Sequence, residues 1–106
     1  MSFTHLDHAT LHQWLVDGKS LNLVDIRDPV SFSNGHISAS RHLDNLTLTE
    51  FMEEADPEQP LVVVCYHGNS SQGAAGWLAQ QGFVDVYSLD GGFTKWQQQY
   101  PDQVEQ

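Results

Sequence analysis

LVVVCYHGNSSQGAAGWLAQQG, Leu61–Gly82, is the stretch that decides the fold. Leu61 to Cys65 is a short apolar run rich in valine, and it reads as a strand buried on both faces, as central strands of parallel sheets are. A polar loop containing Gly68 follows directly. Ser71 to Gln81 then reads as a helix rich in Gly and Ala, closed by Gly82 in the left-handed position favoured just past a helix end. Its small residues suit close packing on a sheet.

The same alternation extends outward in both directions. Phe3–His5 reads as a short edge strand, and Asp7 as the N-cap of a helix over His8–Asp17. That helix carries Leu11, Trp14 and Leu15 on one face and ends at Gly18. Leu21–Ile26 (LNLVDI) reads as a buried strand. Asp28-Pro29 opens a turn or short helix through Phe32 that stops at Asn34-Gly35. Leu46–Ala55 reads as a helix, and Asp56-Pro57 and Pro60 bracket a polar loop. Beyond Gly82 come a strand over Val84–Leu89, a turn at Asp90-Gly91-Gly92 and a last helix over Phe93–Gln99, with the final five residues a frayed tail. Strands alternating with helices predict an α/β fold, a parallel sheet covered on both faces through right-handed crossovers.

At 106 residues, 40% apolar and 17% charged, the chain is expected to form one domain over residues 1–106. Its longest purely apolar run, Leu61–Cys65, falls far short of the roughly twenty residues of a membrane helix. The N-terminal segment MSFTHLDHAT has neither the basic start nor the apolar stretch of a signal peptide, so no membrane partner is expected and the cytoplasm is the expected location. Fourteen acidic residues against four basic ones give a formal charge of −10. Nucleic-acid binding is excluded by this balance, because no stripe of Lys and Arg can be assembled to displace counterions from phosphates. The acidity reads as a solubility surface. Cys65 is the one cysteine, which rules out an intramolecular disulfide and a cysteine-built zinc cage.

Chemistry concentrates where the strand runs into Cys65-Tyr66-His67-Gly68-Asn69-Ser70. Ligands of open α/β sheets bind beyond the carboxyl ends of strands. A short loop that wraps and then opens a helix turns several backbone N–H groups to one point, and the helix adds positive potential there. Gly68 and Asn69 tolerate the positive φ such wrapping needs. A cysteine at that focus ionises readily. The bland alternative is a cysteine that only fills the end of a core strand; the glycine-containing polar loop weighs against it. A cysteine phosphatase or arsenate reductase would need Cys-x5-Arg to hold its oxyanion, and the sixth residue after Cys65 is Ser71. Sulfur transfer asks for less: a thiolate, a donor with a good leaving group, and N–H groups to steady a persulfide.

Three segments, VDIRDPVSFSNGHI (Val24–Ile37), VVVCYHGNSSQGAA (Val62–Ala75) and YSLDGGFTKWQ (Tyr87–Gln97), carry a resemblance that covers essentially the whole chain. It resembles the rhodanese superfamily, most closely the single-domain, GlpE-type thiosulfate sulfurtransferases. The resemblance implies a five-stranded parallel sheet flanked by helices, with Cys65 carrying the transferred sulfur and the amides of Tyr66, His67, Gly68, Asn69 and Ser70 around the outer sulfur. It also implies a double displacement: thiosulfate donates, sulfite leaves, and cyanide, a dithiol or thioredoxin accepts. No cofactor is implied. A rhodanese-fold module that works only by protein contacts is the second class; inactive modules of that kind often lack the cysteine kept here.

Other residues read as structural. An ionised thiolate needs no base, so His67 reads as loop shape or substrate contact. His5, His8 and His12 lack a carboxylate or cysteine partner and read as solvated histidines, not a metal site. Asp25 and Arg27, alternating at a strand end, read as a buried charge network.

Overall fold

The computed structural model describes residues 2–106. Five strands form one parallel sheet: β1 (Thr4–Leu6), β2 (Asn22–Asp25), β4 (Arg41–His42), β5 (Leu61–Val64) and β6 (Val86–Leu89), in the order β1-β6-β5-β2-β4. Central β5 pairs with β2 (Leu61 beside Asn22, Val64 beside Asp25) and with β6 (Leu61 beside Val86, Val63 beside Ser88). Its four residues are fully buried, as the uninterrupted apolar run requires of a strand covered on both faces.

Side chains alternate across a strand, so β5 feeds two cores. Leu61 and Val63 pack with Phe51, Ala75, Leu78 and Phe83 under α3 (Leu48–Glu54) and α4 (Ser70–Gln80). Val62 and Val64 face Leu11, Phe93 and Trp96 under α1 (His8–Val16) and α5 (Gly92–Gln99). Asp7 caps α1 by accepting from the Thr10 N–H at 2.7 Å, and Gly18 leaves it with φ +71°. Asp28 caps the short α2 (Pro29–Asn34) in the same way, accepting from the Ser31 N–H at 3.0 Å.

Three expectations are corrected. The final residues are not frayed: a 3-10 turn (Pro101–Gln103) leads into β7 (Val104–Glu105), which pairs antiparallel with β3 (His36–Ile37). The Ser38 N–H and the Trp96 indole both donate to the Gln103 carbonyl, which ties the chain end to the core. The helix expected from Leu46 begins at Leu48, because Asp44 accepts the N–H groups of Leu46 and Thr47 and holds that segment in a turn. His8 is not solvated: it is 4% exposed, its Nε2 3.2 Å from the Gly92 carbonyl. His5 reaches Asp90 at 2.7 Å, and His12 stacks on Tyr100. Among the described residues no helix is long and apolar enough to cross a membrane.

Candidate active site

β5 delivers Cys65 to the carboxyl end of the sheet, buried at 4% exposure, at the point where the chain leaves the strand. The next residues turn back over the sulfur. Gly68 sits at φ +91°, and a Cβ there would lie 2.8 Å from the Gly91 nitrogen, so this turn needs glycine for conformation and for space. Asn69, by contrast, keeps φ −93°, so the wrapping uses positive φ at Gly68 and not at Asn69.

The turn aims donors at Sγ. The N–H of Gly68 lies 3.1 Å away and the N–H of Ser71, in the first turn of α4, 3.3 Å away. The Ser71 hydroxyl stands 3.2 Å from Sγ and 2.7 Å from the hydroxyl of Ser88 on β6. With the sulfur ionised, Ser71 donates to it and accepts from Ser88. Burial pushes the Cys65 thiol up, yet the Ser71 hydroxyl, the Ser71 and Gly68 amides and the His67 amide outweigh burial and hold it below the ordinary thiol value.

α5 braces the loop from behind. Its first turn donates from Phe93 N–H to the Cys65 carbonyl at 2.8 Å and from Thr94 N–H to the Tyr66 carbonyl at 3.0 Å. A Cβ on Gly92 would lie 2.5 Å from the Cys65 oxygen, so α5 can come this close only through a glycine, itself at φ +60°. The Gln72 amide donates to the Gly68 carbonyl at 2.9 Å. On the outer side the Tyr66 hydroxyl donates to Asp28 and lies 2.5 Å from Ser31 Oγ. These bonds, from Tyr66 first and then from the Ser31 amide and hydroxyl, hold the Asp28 carboxyl far below its usual range.

Of the expected site residues, Gly68 contacts the sulfur directly. Tyr66, His67, Asn69 and Ser70 are exposed around the rim, and Ser70 opens α4. Ser71 was legible only as the place where a phosphatase arginine was missing. Its signal was the hydroxyl itself, six residues after the cysteine and within a helix's first turn. Arg27 does not face the sulfur: Nε and Nη2 grip the Asp25 carboxylate, Nη2 also donates to the Gly35 carbonyl at 2.6 Å, and the guanidinium lies 4.1 Å from the Phe93 ring centre. Asp25 and Arg27 form the buried charge network expected of them, both side chains under 5% exposed (1% and 4%). The arrangement supplies a stabilised thiolate in a cup of N–H donors with no guanidinium in it, which suits a nucleophile that holds a single anionic sulfur better than one that holds a phosphoryl dianion.

The family model described as Rhodanese-like domain matches residues 7–99. The chain is 63% identical over 83 residues to a protein of Stutzerimonas stutzeri named thiosulfate sulfurtransferase GlpE, covering 78% of this chain and 76% of that one. It is 49% identical over 105 residues to the thiosulfate sulfurtransferase GlpE of Pseudoalteromonas translucida, covering 99% of both. The rhodanese-like domain of the Anabaena protein Alr3790 superposes with a TM-score of 0.82 at 21% identity, over 95% of this chain and 77% of that one. The five-stranded parallel sheet, the cysteine at the end of its central strand and this match over most of the chain place the protein in the rhodanese-like domain family.

Proposed function

We propose that the chain is a thiosulfate sulfurtransferase acting by double displacement through Cys65. The observation that carries the reading is the set of three donors on Sγ, from Gly68 N–H and from Ser71 N–H and hydroxyl, in relatives' company named for the same activity. The Cys65 thiolate attacks the outer sulfur of thiosulfate; the new S–S bond forms as the old one breaks, and its electron pair leaves with sulfite. The loop amides from Tyr66 to Ser70 then steady the outer sulfur of the persulfide. Cyanide attacks that sulfur to give thiocyanate, or the thiolate of a dithiol or of thioredoxin takes it, and in either case the electron pair of the broken bond returns to Cys65. The cytoplasm is the proposed location.

Intact mass before and after thiosulfate tests the reading. The chain is expected to gain one sulfur atom and to lose it to cyanide, while Cys65→Ser, whose hydroxyl stays protonated at neutral pH, gains none and turns nothing over but keeps the fold. A wild-type chain that gains no sulfur supports instead the protein-contact module. Turnover in Cys65→Ser contradicts the assigned nucleophile.

A further inference from the structure

Between α3 and α4 runs a cleft of about 340 Å³, lined by Leu43 and Leu48 on one side and by Ala74, Trp77 and Leu78 on the other, with Asp44 at its edge. Trp77 is 46% exposed, and Leu46, in the turn that precedes α3, is 93% exposed. The exposed Trp77 ring, together with the apolar lining of Leu43, Leu48, Ala74 and Leu78, marks a surface that gains by being covered. Charge surrounds this one unevenly. α4 carries no charged residue, whereas residues 44–58 hold Asp44, Glu50, Glu53, Glu54, Asp56 and Glu58 and no Lys or Arg. Arg41 pairs with Glu54 at 3.1 Å, and Glu50 and Glu53 stand exposed on the outer face of α3 without a partner among the described residues.

Two elements link the cleft to the cysteine loop, the end of β2 and helix α4. Ile26, which lines the cleft just after β2, donates its N–H to the carbonyl of Val64, the residue before Cys65. Ser70, Gly73 and Trp77 are exposed along one face of α4, which leads from the loop to the cleft. Trp77 follows Ser71 by six residues, about 9 Å along the helix axis. An extended chain covers about 10 Å in three residues.

We propose that this cleft docks a protein sulfur acceptor whose reactive cysteine lies three residues from an apolar anchor side chain and is flanked by Lys or Arg. The inference rests on the sulfurtransferase reading above. The anchor fills the cleft beside Trp77, the basic residues meet the acidic face of α3, and the thiol reaches the loop. The acceptor thiolate attacks the outer sulfur of the Cys65 hydropersulfide; its S–S bond forms as the enzyme's breaks, the electron pair returns to Cys65 as thiolate, and the proton stays on the transferred sulfur. Cyanide, too small to touch the cleft, is indifferent to it.

Synthetic peptides serve as probes. Each carries one cysteine, a leucine three residues away and three lysines, and is compared with versions having the lysines replaced by glutamates, the leucine replaced by serine, or the leucine moved to six residues away. The thiosulfate-loaded chain is offered each peptide, with cyanide in parallel, and persulfide formed on the peptide is followed by mass. The lysine and leucine peptide is expected to exceed every altered version in kcat/KM by about tenfold, the change that follows from losing one good contact. Trp77→Ser removes the leucine preference, and Glu50→Lys with Glu53→Lys, both outward-facing and harmless to packing, removes the lysine preference. Both variants keep the cyanide rate. Equal rates across the wild-type peptide series, or preferences that survive both variants, overturn the docking surface while a normal cyanide rate leaves the enzyme reading standing. A chain that takes no sulfur from thiosulfate overturns both.

Discussion

Ser71 shows how much one hydroxyl can decide. Its amide and its hydroxyl both reach Cys65 Sγ, and the hydroxyl is itself held by Ser88 at 2.7 Å. Ser71→Ala keeps the amide and removes the hydroxyl donor, so the thiol rises toward its ordinary value and less thiolate is present at neutral pH. A hydrogen bond to a charged group contributes about 1.5 kcal/mol or more, so alkylation by iodoacetamide at pH 7 is expected to slow about tenfold. The pH profile of alkylation should move to higher pH while the rate at its alkaline plateau stays near that of the wild type. An unmoved profile would show that the loop amides alone set the acidity of Cys65. The cysteine and its loop were legible in the sequence because residue type and motif carry them. The Ser71 hydroxyl was not, because a donor's aim depends on the turn that carries it and on Ser88, seventeen positions away on β6.

The junctions between elements carry the loop's precision. α5 abuts the cysteine loop because Gly91 and Gly92 take φ +76° and +60°, and a Cβ on Gly92 would press on the carbonyls of Cys65 and Tyr66. Gly92→Ala should therefore lower stability by about 3 kcal/mol or more and depress transfer, combining backbone strain with a backbone clash. Gly82→Ala is the internal comparison. Its φ is +107° but a Cβ there meets nothing within 4 Å, so it should cost about 1–2 kcal/mol and leave transfer unchanged. Urea denaturation of the two variants separates these outcomes; equal losses would contradict the clash.

α1 is joined to the same junction through His8, on which burial acts first: it lowers the imidazole below its ordinary value, opposed by the bond to the Gly92 carbonyl and aided by Lys95, with Asp7 and Asp90 raising it. A base whose folded value is depressed takes up protons on unfolding. Its contribution is fully present above the unfolded value of about 6.5 and is lost as pH falls from there toward the folded value. Denaturation midpoints should fall on going from pH 7 to pH 5 more steeply in the wild type than in His8→Asn. Parallel profiles would show that His8 is not buried neutral.

At the scale of the molecule, charge opposes the proposed donor. The formal charge is −10, and both arginines are engaged, Arg27 with Asp25 and Arg41 with Glu54. Thiosulfate is a dianion. The attraction of the loop amides and the α4 N-terminus is confined to about one turn, whereas repulsion from the carboxylates extends over a Debye length of about 10 Å at 0.1 M salt. In initial-rate kinetics with cyanide, kcat/KM for thiosulfate is expected to rise a few-fold between about 0.01 and 0.15 M potassium chloride as the carboxylates are screened. A steep fall, with chloride inhibition measured separately, would show a local positive field governing the approach.

The sequence by itself determined the alternation of strands and helices, the central place of Leu61–Val64, the helix cap Asp7, the turn or short helix opened by Asp28-Pro29, and the cysteine at a strand end with its glycine-bearing loop. Each is written in local chemistry: apolar period, capping oxygen, tolerance of positive φ. Only the tertiary structure decided the rest. Arg41–His42 is too short for a periodic pattern, and it becomes a strand because β2 offers it partners. Val104–Glu105 is ordered because Ile37 and His36 face it, and His8 is buried because α5 closes over it. The cleft beside Trp77 exists because α3 and α4 cover the same face of the sheet. These features are contacts between segments far apart in the chain, and no local pattern encodes which distant segment will arrive.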